Sequence, residues 1–221
     1  MHNWFVYDAF SEAEKAAADF IAEKIQDSIQ KNNICHIALP GGNTPAACLG
    51  YLSEKKLSWN KVHWYLGDER CYPVGHQGRN DVMLEKNLWC RLPSTNIYRI
   101  PAEKGAEKAA AAYRKLVDQF QCFDIIFLGM GEDGHTASLF PGNRALEDMR
   151  SVIAVHDSPK EPDDRVSLSV STIQKARCRI VLTGGQGKSE VLARVKAGEK
   201  LPVNSVGDIN WYVDQAAMGR T

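Results

Sequence analysis

The chain has 221 residues, and its 27 lysines and arginines balance 27 aspartates and glutamates, so the formal net charge is zero. This length fits one domain, or at most two small ones, and is enough for a substantial hydrophobic core. A hydrophobic fraction of 44% is typical of a globular protein and excludes a mainly disordered chain. The balanced charge argues against a general binder of nucleic acid or of anionic membranes, because such proteins need a positive field over much of their surface.

The spacing of the cysteines indicates whether the chain binds metal, and its N-terminus and apolar runs indicate its cellular compartment. No two of the six cysteines lie closer than 13 residues, which excludes a C-x-x-C redox motif and zinc-knuckle spacing. Residues 1–20 lack the basic start and apolar core of a signal peptide. The longest aliphatic or aromatic run, near 125–128, is far too short to span a membrane. We therefore expect a cytoplasmic protein that uses no metal ion.

Hydrophobic periodicity predicts helices and strands that alternate along the chain. Ser11 followed by Glu14 is a capping-box pattern and marks the expected start of the first helix. The predicted strands are the apolar runs 34–39, 62–66, 123–128, 152–155 and 179–182. The predicted helices are 11–30, 46–52, 81–91, 106–120 and a last one that follows Lys188 and ends near Val195.

Strands that alternate with helices indicate an α/β protein with a parallel sheet and helices on its faces. We see no fixed-period repeat, linker or low-complexity stretch, so we expect a single domain over 1–221. Four of the strands run into loops rich in glycine and polar residues, at 40–45, 67–70, 129–135 and 184–188. Ligands of open parallel sheets bind beyond the carboxyl ends of the strands. If the four strands are parallel and in one sheet, these loops meet in one crevice, which is the candidate active site.

The loop 129–135 carries the most specific chemistry. Asp133 lies two residues before His135, so its carboxylate is placed to fix the imidazole tautomer and raise its basicity. Residues 129–134 also match the dinucleotide pattern G-x-G-x-x-G. We discount that match, because Glu132 and Asp133 would repel a pyrophosphate and Pro141 ends the supporting helix too early. A general base is therefore the favoured role of His135, with a structural histidine as the alternative.

Cations and glycine-rich turns near the other strand ends are typical of phosphate binding. Residues 40–45, Pro-Gly-Gly-Asn-Thr-Pro, precede a helix whose N-terminus favours an anion, and a plain strand-to-helix turn is the alternative. Arg70 suits bidentate phosphate recognition. Lys188 follows a glycine-rich turn, which is no nucleotide-triphosphate loop because Leu182 stands where that motif needs glycine. Arg165 is a further candidate cation, in a stretch expected to be an exposed loop.

Three segments together resemble the 6-phosphogluconolactonase family. They are Leu39-Pro-Gly-Gly-Asn-Thr-Pro45, Trp64-Tyr-Leu-Gly-Asp-Glu-Arg70 and Gly129-Met-Gly-Glu-Asp-Gly-His-Thr-Ala-Ser-Leu-Phe-Pro-Gly142. The third segment is highly specific, and the resemblance runs in the family's order from about residue 39 to residue 192. It implies a Rossmann-like three-layer sandwich with a mostly parallel sheet and helices on both faces. It also implies hydrolysis of 6-phospho-D-glucono-1,5-lactone to 6-phosphogluconate in the oxidative pentose phosphate pathway, without a metal or an organic cofactor.

The same resemblance assigns roles to individual residues. It implies that His135 deprotonates the attacking water and that Asp133 orients His135. Asp68 occupies the position of the general base in glucosamine-6-phosphate deaminases. The residues expected to bind the phosphate or the sugar are Gly41, Gly42, Asn43, Thr44, Arg70, Arg165 and Lys188. The implied partner is the small sugar-phosphate lactone, and a functional coupling to glucose-6-phosphate dehydrogenase is left open.

Two other functions remain as alternatives. A glucosamine-6-phosphate deaminase or related isomerase would use similar parts, but it usually has Asp-Glu-Tyr where this chain has Asp68-Glu69-Arg70, and it lacks the run at 138–142. A non-catalytic sugar-phosphate sensor would keep the cations and tolerate loss of the pair formed by Asp133 and His135, which is intact here. The chain also departs from the family pattern at three positions beside the proposed crevice, Arg79, Ser167 and Ser169.

Overall fold

The fold combines one parallel sheet with one small antiparallel sheet. The computed structural model describes residues 2–93 and 96–219. Its strands are β1 (Asn3–Tyr7), β2 (Cys35–Leu39), β3 (Val62–Leu66), β4 (Asp68–Arg70), β5 (Ile97–Tyr98), β6 (Ile125–Leu128), β7 (Val152–Val155), β8 (Arg165–Leu168), β9 (Cys178–Leu182) and β10 (Asn210–Asp214). Within the described residues, seven strands form a parallel sheet in the order β1-β10-β9-β6-β2-β3-β5. Three form an antiparallel sheet in the order β4-β8-β7.

Helices of varied length connect and cover the strands. They are α1 (Phe10–Asn32), α2 (Ala46–Ser53), α3 (Asn80–Asn87), α4 (Ala106–Val117), α5 (Val170–Lys175), α6 (Ser189–Lys196) and α7 (Pro202–Ser205). All four residues of β6 are buried, as expected for a strand in the middle of a sheet that is covered on both faces. None of the helices in the described part of the chain is both long and apolar enough to cross a bilayer.

The predicted parallel core is confirmed. The four strands inferred from apolar runs that end in glycine-rich loops are β2, β3, β6 and β9, and they lie side by side in the order β9-β6-β2-β3. All of them run parallel, so their carboxyl ends and the loops that follow share one edge of the sheet. The α/β class expected from the alternation of strands and helices is therefore correct.

The small antiparallel sheet was not predicted, although its strand β7 has the predicted bounds 152–155. It corrects two expectations about site residues. Residues 67–70 were expected to form a loop, but Asp68–Arg70 is strand β4. Arg165 was expected in an exposed loop, but it begins strand β8 and is only 4% exposed. The antiparallel register places Asp68 opposite Ser167 and Arg70 opposite Arg165. Short strands that carry charged residues give no apolar run, so periodicity does not reveal them.

The start of α1 differs slightly from the prediction. The N-cap is Ala9 rather than Ser11, and the helix begins at Phe10. The carboxylate of Glu12 accepts the Ala9 backbone N–H at 3.2 Å, so the reciprocal contact of a capping box forms two residues earlier than its sequence pattern suggested.

A single glycine joins the two sheets. The N–H of Gly67 donates to the carbonyl of Leu39 at the end of β2, at 2.8 Å. The carbonyl of Gly67 accepts the N–H of Leu168 at the end of β8, also at 2.8 Å. This short link between β3 and β4 therefore holds the small sheet against the carboxyl edge of the parallel sheet, where the glycine-rich loops lie.

Candidate active site

A cavity of about 230 Å³ opens at the carboxyl edge of the parallel sheet. Residues from all four predicted loops line it, so the expected crevice exists. Its lining residues are Pro40, Gly41, Gly42, Thr44, Pro45, Asp68, Arg70, Asn80, Gly129, Met130, Gly131, His135, Ala137, Lys160, Arg165 and Lys188. A larger adjoining groove of about 920 Å³ contains only Asp133 among the candidate site residues. The smaller cavity is therefore the candidate active site.

His135 and Asp133 form a hydrogen-bonded pair at this cavity. The Nδ1 atom of His135 lies 2.5 Å from Oδ1 of Asp133, and the same oxygen accepts the His135 backbone N–H at 3.1 Å. A carboxylate on Nδ1 holds the proton there, so the neutral ring carries its lone pair on Nε2. The pair thus has the arrangement of a general base with its orienting carboxylate.

The protonation states of the pair suit a base that works near neutral pH. Burial lowers the pKa of His135 below its ordinary value, and the charge and hydrogen bond of Asp133 oppose this only in part. For Asp133, burial would raise the pKa, but the hydrogen bonds and charge of His135 outweigh it and the pKa falls. At neutral pH the imidazole is therefore neutral and the carboxylate is ionised.

Glycine makes room for the imidazole ring. A Cβ atom on Gly131 would lie 2.1 Å from both Cε1 and Nδ1 of His135, so the ring packs directly on the Gly131 backbone. The ring of Phe140 contacts the imidazole on another side, with centroids 4.7 Å apart. Gly134 has φ +82°, a left-handed conformation that closes the tight turn between Asp133 and His135. The G-x-G-x-x-G pattern therefore shapes a turn that supports a histidine.

Asp68 is a buried acceptor on the cavity wall. Ser138 donates its hydroxyl to Oδ2 of Asp68 at 2.6 Å. Asn80 donates its side-chain amide to the Asp68 main-chain carbonyl at 2.9 Å and to Oδ1 at 3.2 Å. With both carboxylate oxygens in hydrogen bonds and only 6% of the residue exposed, Asp68 keeps a fixed position. Neither Asn80 nor Ser138 was singled out from the sequence as a site residue.

The side chain of Arg70 has one hydrogen-bond donor that is paired and one buried donor that is not. Its Nη1 donates to the carbonyl of Gly78 at 2.7 Å. Its Nε is buried and has no hydrogen-bond partner among the described residues. A buried N–H donor without an acceptor costs free energy, and an anionic ligand in the cavity would remove that cost.

Arg165 is held by carbonyl groups of the loop before β8. Its Nε donates to Pro162 at 3.0 Å, and its Nη2 donates to Lys160 at 2.8 Å and to Glu161 at 2.9 Å. The guanidinium also lies 5.9 Å from the ring centroid of Phe140. Burial lowers the pKa of Arg165, while the nearby charge of Asp68 opposes this shift. The loop thereby fixes Arg165 and places Lys160 beside the cavity.

Lys188 and the first glycine-rich loop complete the wall. The Nζ of Lys188 donates to the carbonyl of Met130 at 3.0 Å, and burial lowers its pKa. Gly42 has φ +83°, and a Cβ atom there would meet no atom within 4 Å, so this side of its backbone is accessible to a ligand. Thr44 lines the cavity as expected, whereas Asn43 is exposed and does not line it.

Arg79, which departs from the family pattern, lies away from the cavity. It is 3% exposed and pairs with both oxygens of Asp81 at 2.9 Å. It also donates to the carbonyl of Tyr72 at 3.0 Å. This arginine therefore holds the start of α3 against the preceding loop and contributes no charge to the cavity wall.

Lys160 is the charged lining residue that sequence reasoning missed. It lies in the loop 156–164, where Asp, Pro, Lys and Glu give no periodic signal. Its charge contributes to the lowered pKa of both His135 and Lys188. The lining thus has four cations, Arg70, Lys160, Arg165 and Lys188, against the one carboxylate of Asp68. A chain with no net charge therefore has a locally positive cavity that suits an anionic ligand.

These features define the class of protein. A doubly covered parallel sheet with its cavity at the carboxyl ends of the strands is the arrangement of Rossmann-like α/β proteins that bind small ligands. The family model for glucosamine-6-phosphate isomerases and 6-phosphogluconolactonase matches residues 9–212. The chain belongs to this family, as the sequence motifs indicated.

Individual relatives agree with the family assignment. The chain is 31% identical to a 6-phosphogluconolactonase of a Synechocystis strain over 216 residues, which covers 89% of each protein. The solved structure of 6-phosphogluconolactonase from Trypanosoma cruzi superposes with a TM-score of 0.88 at 30% identity, covering 99% of this chain and 96% of that one. The GDH/6PGL endoplasmic bifunctional protein of Oryctolagus cuniculus is 32% identical over 92% of this chain, which spans 28% of that protein's length.

Proposed function

We propose that the chain hydrolyses 6-phospho-D-glucono-1,5-lactone to 6-phosphogluconate. The observation that carries the proposal is a histidine that lines a cavity with four cations and is hydrogen-bonded to an aspartate behind it. The 6-phosphogluconolactonases of Synechocystis and Trypanosoma cruzi support the choice of substrate. A lactone is a reactive ester, so a positioned base and a few hydrogen-bond donors are sufficient for its hydrolysis.

In this mechanism His135 acts twice. Its Nε2 takes a proton from water while the water oxygen forms a bond to the lactone carbonyl carbon. The tetrahedral intermediate then breaks its bond between that carbon and the ring oxygen, and His135 returns the proton to the ring oxygen. Asp133 keeps Nδ1 protonated throughout and stabilises the imidazolium that forms between the two steps.

The other residues bind the substrate. Arg70, Arg165, Lys160 and Lys188 hold the phosphate together with the glycine-rich loop 40–45. Asp68 accepts hydrogen bonds from sugar hydroxyls beside His135, because its carboxylate lines the cavity in a fixed position. Binding energy from the distant phosphate thus orients the carbonyl carbon for attack.

The test is to generate the lactone in situ and compare its hydrolysis with and without the protein, because the lactone also hydrolyses unaided. We expect a rate proportional to protein concentration. An unchanged rate together with ammonia release from glucosamine 6-phosphate would replace the proposal with deaminase activity. Binding of 6-phosphogluconate without either reaction would indicate a sensor.

We propose further that a glucose-6-phosphate dehydrogenase supplies the lactone. The support is the rabbit relative, whose name joins GDH and 6PGL in one chain. In a coupled assay with a separate dehydrogenase, the steady-state lactone concentration should fall each time the concentration of this protein is raised. A catalytically dead His135→Ala variant should leave that concentration unchanged.

A further inference from the structure

Glu69 lies between two cavity residues but does not reach the cavity. Side chains alternate along a strand, so Asp68 and Arg70 of β4 line the cavity while Glu69 points to the opposite side. Glu69 is 0% exposed. A buried carboxylate costs free energy unless it is hydrogen-bonded, so its partners show what it does there.

The partners of Glu69 are three backbone N–H groups. Its Oε1 accepts the N–H of Arg70 at 2.8 Å and that of Asn80 at 2.7 Å, and its Oε2 accepts the N–H of Asp81 at 2.8 Å. Asn80 and Asp81 begin α3, where backbone N–H groups have no acceptor within the helix. The carboxylate therefore fastens the start of α3 to strand β4.

Asn80, which Glu69 holds through its backbone, contacts two parts of the cavity wall. Its side-chain amide donates to both the carbonyl and the carboxylate of Asp68. The backbone of Gly41 packs so closely on this amide that a Cβ atom there would lie 1.8 Å from Oδ1 of Asn80. A shift of Asn80 would therefore disturb both Asp68 and the glycine-rich loop.

We propose that Glu69 is a positioning residue for substrate binding, which sets the places of Asn80 and Arg70 on the cavity wall through their backbone N–H groups. The inference rests on the proposed function, since it assigns those two residues to the binding of the sugar phosphate. Glu69 itself touches no substrate.

The charge state of Glu69 gives this role a pH dependence. Burial raises the pKa of Glu69 to about 7, although the three N–H groups oppose the shift and the charge of Asp81 adds to it. The other titratable groups around it are Arg79 before α3, Cys71 after β4 and Tyr113 of α4. Above pH 7 the carboxylate accepts all three hydrogen bonds, and below pH 7 the added proton weakens that set of acceptors.

The substitution Glu69→Gln tests the role at nearly constant volume. It mimics the protonated form, so we expect KM for the lactone at pH 8 to rise about tenfold while kcat changes less than about threefold. The ratio of the KM values of variant and wild type should approach one below pH 6. Glu85→Gln is the matched control on the same helix, because Glu85 is half-exposed, pairs with Arg99 and does not line the cavity. Thermal unfolding of each variant reports whether the fold is intact.

A double-mutant cycle separates positioning from general stabilisation. If Glu69 acts through Asn80, Glu69→Gln should raise KM much less in an Asn80→Ala background than in the wild type. Equal increases in both backgrounds, or a wild-type KM in Glu69→Gln with no dependence on pH, would overturn the inference.

A phosphate-binding measurement distinguishes a failure of the proposed function from a failure of the role proposed for Glu69. The dissociation constant of inorganic phosphate should also rise about tenfold in Glu69→Gln at pH 8. If the wild type hydrolyses no lactone, the proposed function fails, and the phosphate comparison still decides the role of Glu69. If the wild type is active and the variant binds phosphate as tightly, only the role of Glu69 fails.

Discussion

The parallel sheet and the small antiparallel sheet contribute to the cavity in different ways. The parallel sheet supplies loops, in which glycines give access to the backbone and a tight turn presents His135. The antiparallel sheet supplies side chains from strands, with Arg70 directly opposite Arg165 in the ladder. The loops thus carry the reacting group, and the small sheet carries fixed charges. This difference predicts that substitutions in the turn that carries His135 affect kcat and that substitutions of the charged residues in the small sheet affect KM.

The strongest test of the loop region is His135→Ala. Loss of the general base should lower kcat by about 10³-fold, while binding of 6-phosphogluconate remains measurable by calorimetry. His156→Ala is the matched control, because His156 also pairs with a carboxylate, Asp164 at 2.6 Å, yet is exposed. Turnover at the wild-type rate in His135→Ala would remove this histidine from the mechanism.

Asp133→Asn should have the next largest effect. Without the carboxylate the imidazole loses its fixed tautomer, so we expect kcat to fall about 10²-fold. The acid limb of the wild-type kcat should lie below the ordinary pKa of histidine, because His135 must lose its proton to act and burial lowers its pKa. Asp133 raises that pKa, so in Asp133→Asn the acid limb should move to still lower pH. A limb that moves to higher pH would contradict the pairing.

Arg70→Ala tests the strand region. Removing this charge should raise KM about tenfold or more and change kcat by less than about threefold, because hydrogen bonds to charged groups contribute more than neutral ones. Arg194→Ala removes an arginine whose ion pair with Glu199 lies at the surface, and it serves as the control. An effect of Arg70→Ala confined to kcat would contradict the prediction that the charged residues of the small sheet act through KM.

Asn43→Ala should have the smallest effect. The resemblance to the family placed Asn43 among the binding residues, but it is exposed and lies outside the cavity lining. We expect KM to change less than about threefold, compared with a larger increase for Thr44→Ala, which alters a lining residue. Equal increases would show that the loop 40–45 moves over the substrate when it binds.

The sequence was sufficient to predict the central strands of the parallel sheet, because these strands follow simple rules of hydrophobic periodicity. The bounds of β3 were predicted without error at 62–66, and those of β2 and β9 within one residue, because buried parallel strands are continuous apolar runs. The helix expected over 81–91 instead ends at Asn87, and a separate 3₁₀ turn covers Trp89–Arg91. Apolar spacing alone does not separate a helix from a turn that follows it.

What the sequence did not reveal depends on contacts between distant segments. Strand β4 is Asp-Glu-Arg, and it forms because β8, about a hundred residues later, offers it a partner. Asn80 and Lys160 reach the cavity from a helix start and an irregular loop, and neither lies at the end of a predicted strand. The neighbouring strands β1 and β10 at one side of the parallel sheet were also missed, because Asn3 and Asn210 begin short runs without clear alternation.

The Gly67 link has a consequence for motion. Its two backbone hydrogen bonds join the sheets on both sides of one residue, so the sheets cannot separate by a hinge at this point without losing both. We expect the amide hydrogens of Gly67 and Leu168 to exchange with solvent as slowly as those of β6. Substrate would then enter and product leave while the walls from both sheets stay still, with only the loops fluctuating.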